Sequence, residues 1–71
     1  MPAAPLPGQR YRHYKGGRYE VVAVATLEAT HEPLVVYRAE ADGAVWARPL
    51  SQWSETVEHE GQTVARFFPL D

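Results

Sequence analysis

The sequence predicts a small all-β domain, and three observations indicate this class. Segments such as RYEVVAVAT (18–26) and LVVYRAE (34–40) are rich in the β-branched and aromatic residues typical of strands. Glycine-containing turns separate these segments at short intervals. No segment has the length and apolar period of an amphipathic helix. We therefore predict a strongly bent antiparallel sheet or an SH3-like barrel of five to six strands, with an oligonucleotide-binding fold as the alternative.

Length and composition predict a single globular domain. The chain has 71 residues, of which 45% are apolar and 23% charged, and it contains no cysteine. Disulfides and thiolate zinc sites are therefore excluded, and the core alone must stabilise a domain of this size. No apolar run approaches the roughly 20 residues that span a bilayer, and the N-terminal residues lack the pattern of a signal peptide. We expect a cytoplasmic protein.

The first residues differ in composition from the remainder. MPAAPLPG (1–8) contains three prolines, which remove backbone donors and favour an extended conformation. We predict a flexible arm over residues 1–8 and a single β domain over residues 9–71.

The first predicted hairpin joins two strands through KGG (15–17). Gly16 and Gly17 suit a tight turn because glycine adopts positive φ without a steric penalty. Uninterrupted alternation along the second strand divides its side chains between two faces. One face would carry Tyr19, Val21, Ala23 and Ala25, and the other Glu20, Val22, Val24 and Thr26.

A second hairpin follows a polar loop at LEATHEP (27–33). Residues 34–40 and 44–49 form its strands, and Gly43 suits the left-handed position of the turn between them. PLSQW predicts one 3₁₀ turn near residues 49–53, because the proline begins a helix well and two apolar residues lie three apart. A closing strand follows in QTVARFFPL (62–70), with Val64, Phe67 and Phe68 as candidate core residues.

Several motifs in this order resemble a known family. The sequence reads Y-x-H-Y-K-G-x-x-Y-E-V over 11–21, E-P-x-V-x-Y over 32–37, W-x-R-P-L over 46–50 and R-F at 66–67. This pattern resembles the small bacterial family called domain of unknown function 1653. The resemblance covers about residues 10–68 and implies a compact domain, but it carries over no catalytic or binding residue.

Positive charge is concentrated near the N-terminus. Residues 1–19 carry a net charge of +4, whereas residues 20–71 carry −6. Cations and aromatic rings together can bind phosphates and stack on bases, so this segment is a candidate nucleic-acid surface. We name its four cations, Arg10, Arg12, Lys15 and Arg18, the basic hairpin. Alternation places Tyr11 and His13 on one face and Arg10, Arg12 and Tyr14 on the other. The alternative is that the arginines form ion pairs with the domain's own carboxylates, in which case the segment has a purely structural role.

A second candidate surface combines aromatic residues with an arginine, the residue types enriched in interface hot spots. We name Tyr37, Trp46, Arg48 and Trp53 the aromatic ledge. Trp46 and Arg48 are two residues apart and so share a strand face, where the guanidinium can stack on a ring. The alternative is that the tryptophans fill the core.

Catalytic and metal motifs are weak in this sequence. His13, His31 and His59 lie far apart in the chain and match no local ligand spacing. No serine elbow or phosphate-binding glycine loop occurs. We therefore predict a protein that is not an enzyme and needs no cofactor. The leading hypothesis is a module that binds a peptide or partner protein through the ledge, with nucleic-acid binding by the basic hairpin and a structural or self-associating role as alternatives.

Overall fold

The computed structural model of the chain describes residues 4–70. Seven strands and one short helix form in these residues. They are β1 (Arg10–His13), β2 (Arg18–Leu27), β3 (Glu32–Ala39), β4 (Val45–Pro49), α1 (Leu50–Trp53), β5 (Thr56–His59), β6 (Gln62–Ala65) and β7 (Phe67–Pro69).

Five strands form one antiparallel sheet in the order β4-β3-β2-β1-β7, and β5 and β6 form a separate hairpin. The predicted all-β class and antiparallel sheet are confirmed. A closed barrel is wrong, because β5 and β6 pair with each other instead of linking β4 to β7. The large sheet therefore keeps β4 and β7 as its edges.

The single helix lies where a helical turn was predicted, at Leu50–Trp53. The N–H of Ser54 donates to the carbonyl of Leu50 at 3.1 Å, a separation of four residues that defines α-helical rather than 3₁₀ geometry. This turn places Trp53 over the sheet, where it is buried.

A β-bulge in β2 changes which side chains reach the core. Val21 is paired with Tyr37, but the next pair joins Ala23 to Val36, so Val22 is an extra residue. Val24 consequently shares a face with Val21. The predicted uninterrupted alternation is wrong beyond Val21, because a bulge shifts the register of one strand against its neighbour.

The core lies on one face of the sheet beneath α1. Trp53 stacks on Phe67 with ring centroids 3.8 Å apart and an interplanar angle of 8°. Phe67 is buried as predicted, whereas Phe68 on the opposite face is 37% exposed. The same core cluster contains Val21, Val35 and Tyr37, and Tyr11, Tyr19 and Leu50 pack against it.

The described part of the N-terminal segment lies against the sheet. Gly8 donates its N–H to the carbonyl of Val21 at 2.8 Å, and Pro5 is buried. Residues 1–3 of the predicted arm lie outside the described residues, and the flexibility of the arm stays a prediction.

The turn between β1 and β2 depends on Gly16. Its φ is +107°, while its N–H donates to the carbonyl of His13 at 2.8 Å. The positive φ predicted for Gly16 is confirmed. Gly17 has no positive φ, but a Cβ there would approach the Tyr19 hydroxyl to 3.0 Å.

We expect Gly16→Ala to lower the free energy of unfolding by about 1–2 kcal/mol, because an L side chain is strained at this φ. Urea unfolding of the variant and of Lys15→Ala, which alters an exposed side chain in the same turn, measures the effect. Equal stability of Gly16→Ala and the wild type would show that the turn does not need this backbone conformation.

Candidate functional site

The two faces of β1 separate the aromatic from the cationic side chains of the first hairpin. Tyr11 is paired with Tyr19, and His13 with Phe67, so both lie on the core face. Arg10 and Arg12 lie on the outer face. The predicted separation of Tyr11 and His13 from Arg10 and Arg12 is confirmed, and the outer face presents the arginines. Tyr14 follows the end of β1, and its ring lies 4.5 Å from that of His13, so alternation does not apply to it.

The cations of the basic hairpin differ in their partners. Arg10 lies 4.0 Å from the carboxylate of Glu40. Arg12 stands directly opposite Arg18 in the ladder, and the Lys15 amine lies 5.8 Å from the centroid of the Tyr14 ring. Within residues 4–70, Arg12, Lys15 and Arg18 form no ion pair with a carboxylate. Like charges opposite each other destabilise a strand pair, so this face suits an anion.

The aromatic ledge is assembled on the core face, but only part of it reaches solvent. Tyr37 and Trp53 are 5% and 4% exposed, whereas Trp46 is 56% exposed. Trp46 is paired with Tyr37 in the ladder and so extends the core face outward at the edge of the sheet. The prediction that Tyr37 and Trp53 contact a ligand directly is wrong, because both rings are buried. A domain this small needs both rings in its core, where they support the surface from beneath.

Arg48 is half-buried beside Trp46 on the same face. Its Nε donates to the Tyr37 hydroxyl at 3.5 Å and one terminal nitrogen donates to Gln52 at 3.4 Å. The guanidinium carbon lies 5.9 Å from the centroid of the Phe67 ring. In the described part of the chain no carboxylate pairs with this guanidinium. Within residues 4–70 the guanidinium of Arg48 is thus held by long contacts to neutral groups, as expected of a cation able to accept an anionic ligand.

Arg48 and Arg66 both act electrostatically on His13, on the core face of β1. Arg66 directs one terminal nitrogen to Glu55 at 3.5 Å, and its Nε is buried without a hydrogen-bond partner in residues 4–70. Burial lowers the pKa of His13 below its ordinary value of 6.5, and the charges of Arg48, Arg66 and Lys15 lower it further. The His13 Nδ1 accepts the N–H of Lys15 at 3.2 Å, which leaves the proton of the neutral ring on Nε2.

We expect the folded domain to lose stability as the pH falls below about 6.5, because the unfolded chain then binds a proton that His13 in the folded domain does not. Urea unfolding at about pH 7.5 and about pH 5.5 measures the change, and His13→Gln should reduce it. His31→Asn is the control, since His31 is exposed and its positive φ suits asparagine. An undiminished loss in His13→Gln would contradict this origin.

The backbone of β4 is available for pairing on one side. Ala39 donates its N–H to the carbonyl of Ala44 at 2.8 Å, which makes these two residues a hydrogen-bonded pair. Because such pairs alternate in an antiparallel ladder, Trp46 and Arg48 direct their backbone groups to β3, while Val45 and Ala47 direct theirs away from the sheet. Among residues 4–70, β3 is the only strand that pairs with β4.

Other classes of site have little support in the described residues. No group of three or more histidine, aspartate and glutamate side chains in residues 4–70 is arranged to hold a metal ion. The one helix in this range is not long and apolar enough to cross a membrane. A shallow cleft lined by residues 6–10 and Pro69 contains no residue of the ledge.

These features define a small, open β-sheet domain with an aromatic and cationic surface on an edge strand. The chain belongs to the family described as protein of unknown function, DUF1653, whose model matches residues 9–69. It is similar to a protein of the same family from Bordetella bronchiseptica, known from a crystal structure. The two share 38% sequence identity over 86% of this chain and 81% of the other, with a TM-score of 0.77. A search of the curated proteins found no match.

The comparisons confirm the family predicted from the motifs, and the structure adds residues that sequence reasoning missed. His13 and Arg66 were not predicted to lie near Arg48, because they are distant in sequence and share no motif with it. The outward backbone groups of Val45 and Ala47 were also missed. The spacing of Trp46 and Arg48 predicted that they share a face of their strand. Which strand lies at the edge depends on the order of strands in the sheet, which spacing does not give.

Proposed function

We propose that this protein is a non-catalytic binding module that takes an extended segment of a partner protein as an additional strand along β4. The observation that carries the proposal is the exposed Trp46 on an edge strand that pairs, among residues 4–70, with β3 alone. Strand addition uses backbone hydrogen bonds for affinity and alternate side chains for specificity.

Two sets of groups would contact the incoming strand. The N–H and C=O groups of Val45 and Ala47 supply the ladder hydrogen bonds. Trp46 and Arg48 lie on one face of β4 and would contact side chains at alternate positions of the peptide. A large exposed aromatic ring beside an arginine supplies the residue types that dominate interface energetics.

The opposite edge of the sheet is less suited to strand addition. Both edge strands end in a proline, but β7 has three residues, and very short strands are a feature by which proteins protect exposed edges. β4 has five residues and exposes Val45 and Trp46. The structure thus favours β4 as the edge that accepts a partner.

Selection from a library of displayed random nonapeptides tests the proposal. We expect selected peptides to bind the wild-type domain and to bind Trp46→Ala about tenfold or more weakly. Val45→Ala is the matched control, because Val45 is equally exposed on the same strand but its side chain faces the opposite side of the sheet. Failure to select any peptide, or equal loss in both variants, would contradict the proposal.

Nucleic-acid binding by the basic hairpin is the second candidate. The opposed pair of Arg12 and Arg18, without carboxylate partners in residues 4–70, supports it, and Lys15 adds charge in the adjacent turn. Fluorescence anisotropy with labelled single-stranded RNA and DNA tests this function. Binding at low salt that weakens steeply as salt is raised would support it, and no binding at low salt would exclude it.

Self-association through β4 is a third candidate, because an edge strand can add to the same strand of a second copy. Light scattering over a range of concentrations distinguishes the two uses of this edge. A monomer at all concentrations would exclude self-association and leave β4 available for another partner.

A further inference from the structure

We infer that the partner segment carries an acidic side chain two residues before an apolar one, with the carboxylate bound by Arg48 and the apolar group by Trp46. This inference rests on the proposed strand addition at β4. It specifies the sequence of the ligand, which the unpaired edge alone does not.

The acidic position follows from the surroundings of Arg48. Its guanidinium has five N–H donors, of which two make bonds of 3.5 and 3.4 Å to neutral oxygens in residues 4–70. A carboxylate can accept two parallel N–H bonds from a guanidinium, and these charge-assisted bonds are shorter and stronger than the present ones. The positive charge of Arg66 nearby adds to the attraction for an anion, although Glu55 offsets part of it.

The order of the two positions follows from the register of the ladder. Since the sheet is antiparallel throughout, we assign the same direction to the added strand. The peptide residue opposite Arg48 then precedes the residue opposite Trp46 by two. Both fall at non-hydrogen-bonded positions of the new ladder, where facing side chains lie closer together.

Capped, fluorescein-labelled heptapeptides test the inference by anisotropy. The probe is Thr-Thr-Glu-Thr-Phe-Thr-Thr, and its controls are the peptide with Gln in place of Glu and the peptide with Glu and Phe exchanged. We expect the probe to bind about tenfold or more tightly than either control. In Arg48→Met the difference between Glu and Gln should vanish, whereas Arg38→Met, on the outer face of β3, should preserve it.

The outcomes separate the inference from the proposal on which it rests. Equal affinity for the Glu and Gln peptides would overturn the acidic position while strand addition stands, and tighter binding of the exchanged peptide would overturn the order. Absence of binding by all three peptides would contradict strand addition itself. The comparison of Glu with Gln uses the wild-type domain, so it holds even if Arg48→Met does not fold.

Discussion

Phe67→Ala should lower the free energy of unfolding by about 3–5 kcal/mol, the largest stability change expected for any substitution considered. The Phe67 ring stacks on Trp53 at 3.8 Å and contacts Tyr37 and Tyr19 edge-to-face at centroid distances of 5.6 and 5.9 Å. Its removal leaves a cavity at the centre of a core with few buried residues. A loss of this size approaches the whole stability of a small domain.

Urea unfolding followed by far-ultraviolet circular dichroism measures this effect, and Phe68→Ala is the control. Phe68 has the same side chain at the next position but is 37% exposed on the outer face, so we expect a loss of about 1 kcal/mol or less. Equal losses in the two variants would show that the core is not organised around the Trp53–Phe67 stack.

Ala47→Pro should abolish peptide binding while the domain stays folded. Ala47 directs its N–H away from the sheet, so proline removes a donor that β3 does not use. The preceding residue, Trp46, is in a strand and already has the extended conformation that proline requires of its neighbour. The added strand would lose a ladder hydrogen bond and meet the proline ring at its centre.

Anisotropy with peptides selected on the wild-type domain measures the binding of this variant. Ala47→Thr keeps the N–H and is the control, for which binding should change by less than about threefold. Unimpaired binding by a folded Ala47→Pro domain would mean that the peptide does not pair with β4. Circular dichroism establishes that both variants are folded.

The first two hairpins could be predicted from the sequence because their determinants are local. Gly16 and Gly43 have the positive φ that their turns require, and alternation correctly placed Trp46 and Arg48 on one face. The bulge at Val22 could not be predicted in this way. It appears only when β2 is paired with β3, since the extra residue is defined by the partner strand.

The exposure of the two tryptophans likewise depends on tertiary structure. Trp53 is buried because α1 folds over the sheet, whereas Trp46 is exposed because β4 is an edge strand. The same limit applies to the arginines, whose partners lie on other strands: Arg10 pairs with Glu40 and Arg38 with Glu20. A cytoplasmic location and the absence of catalysis stay predictions.

The central claim, that a partner segment adds to the edge of β4, is tested most directly by nuclear magnetic resonance of the labelled domain with a selected peptide. We predict that the amides of Val45 and Ala47 shift on binding and gain protection from hydrogen exchange, because they become ladder donors. The Trp46 indole should shift with them. Changes confined to the basic hairpin, with the amides of β4 unaltered at saturating peptide, would contradict the claim.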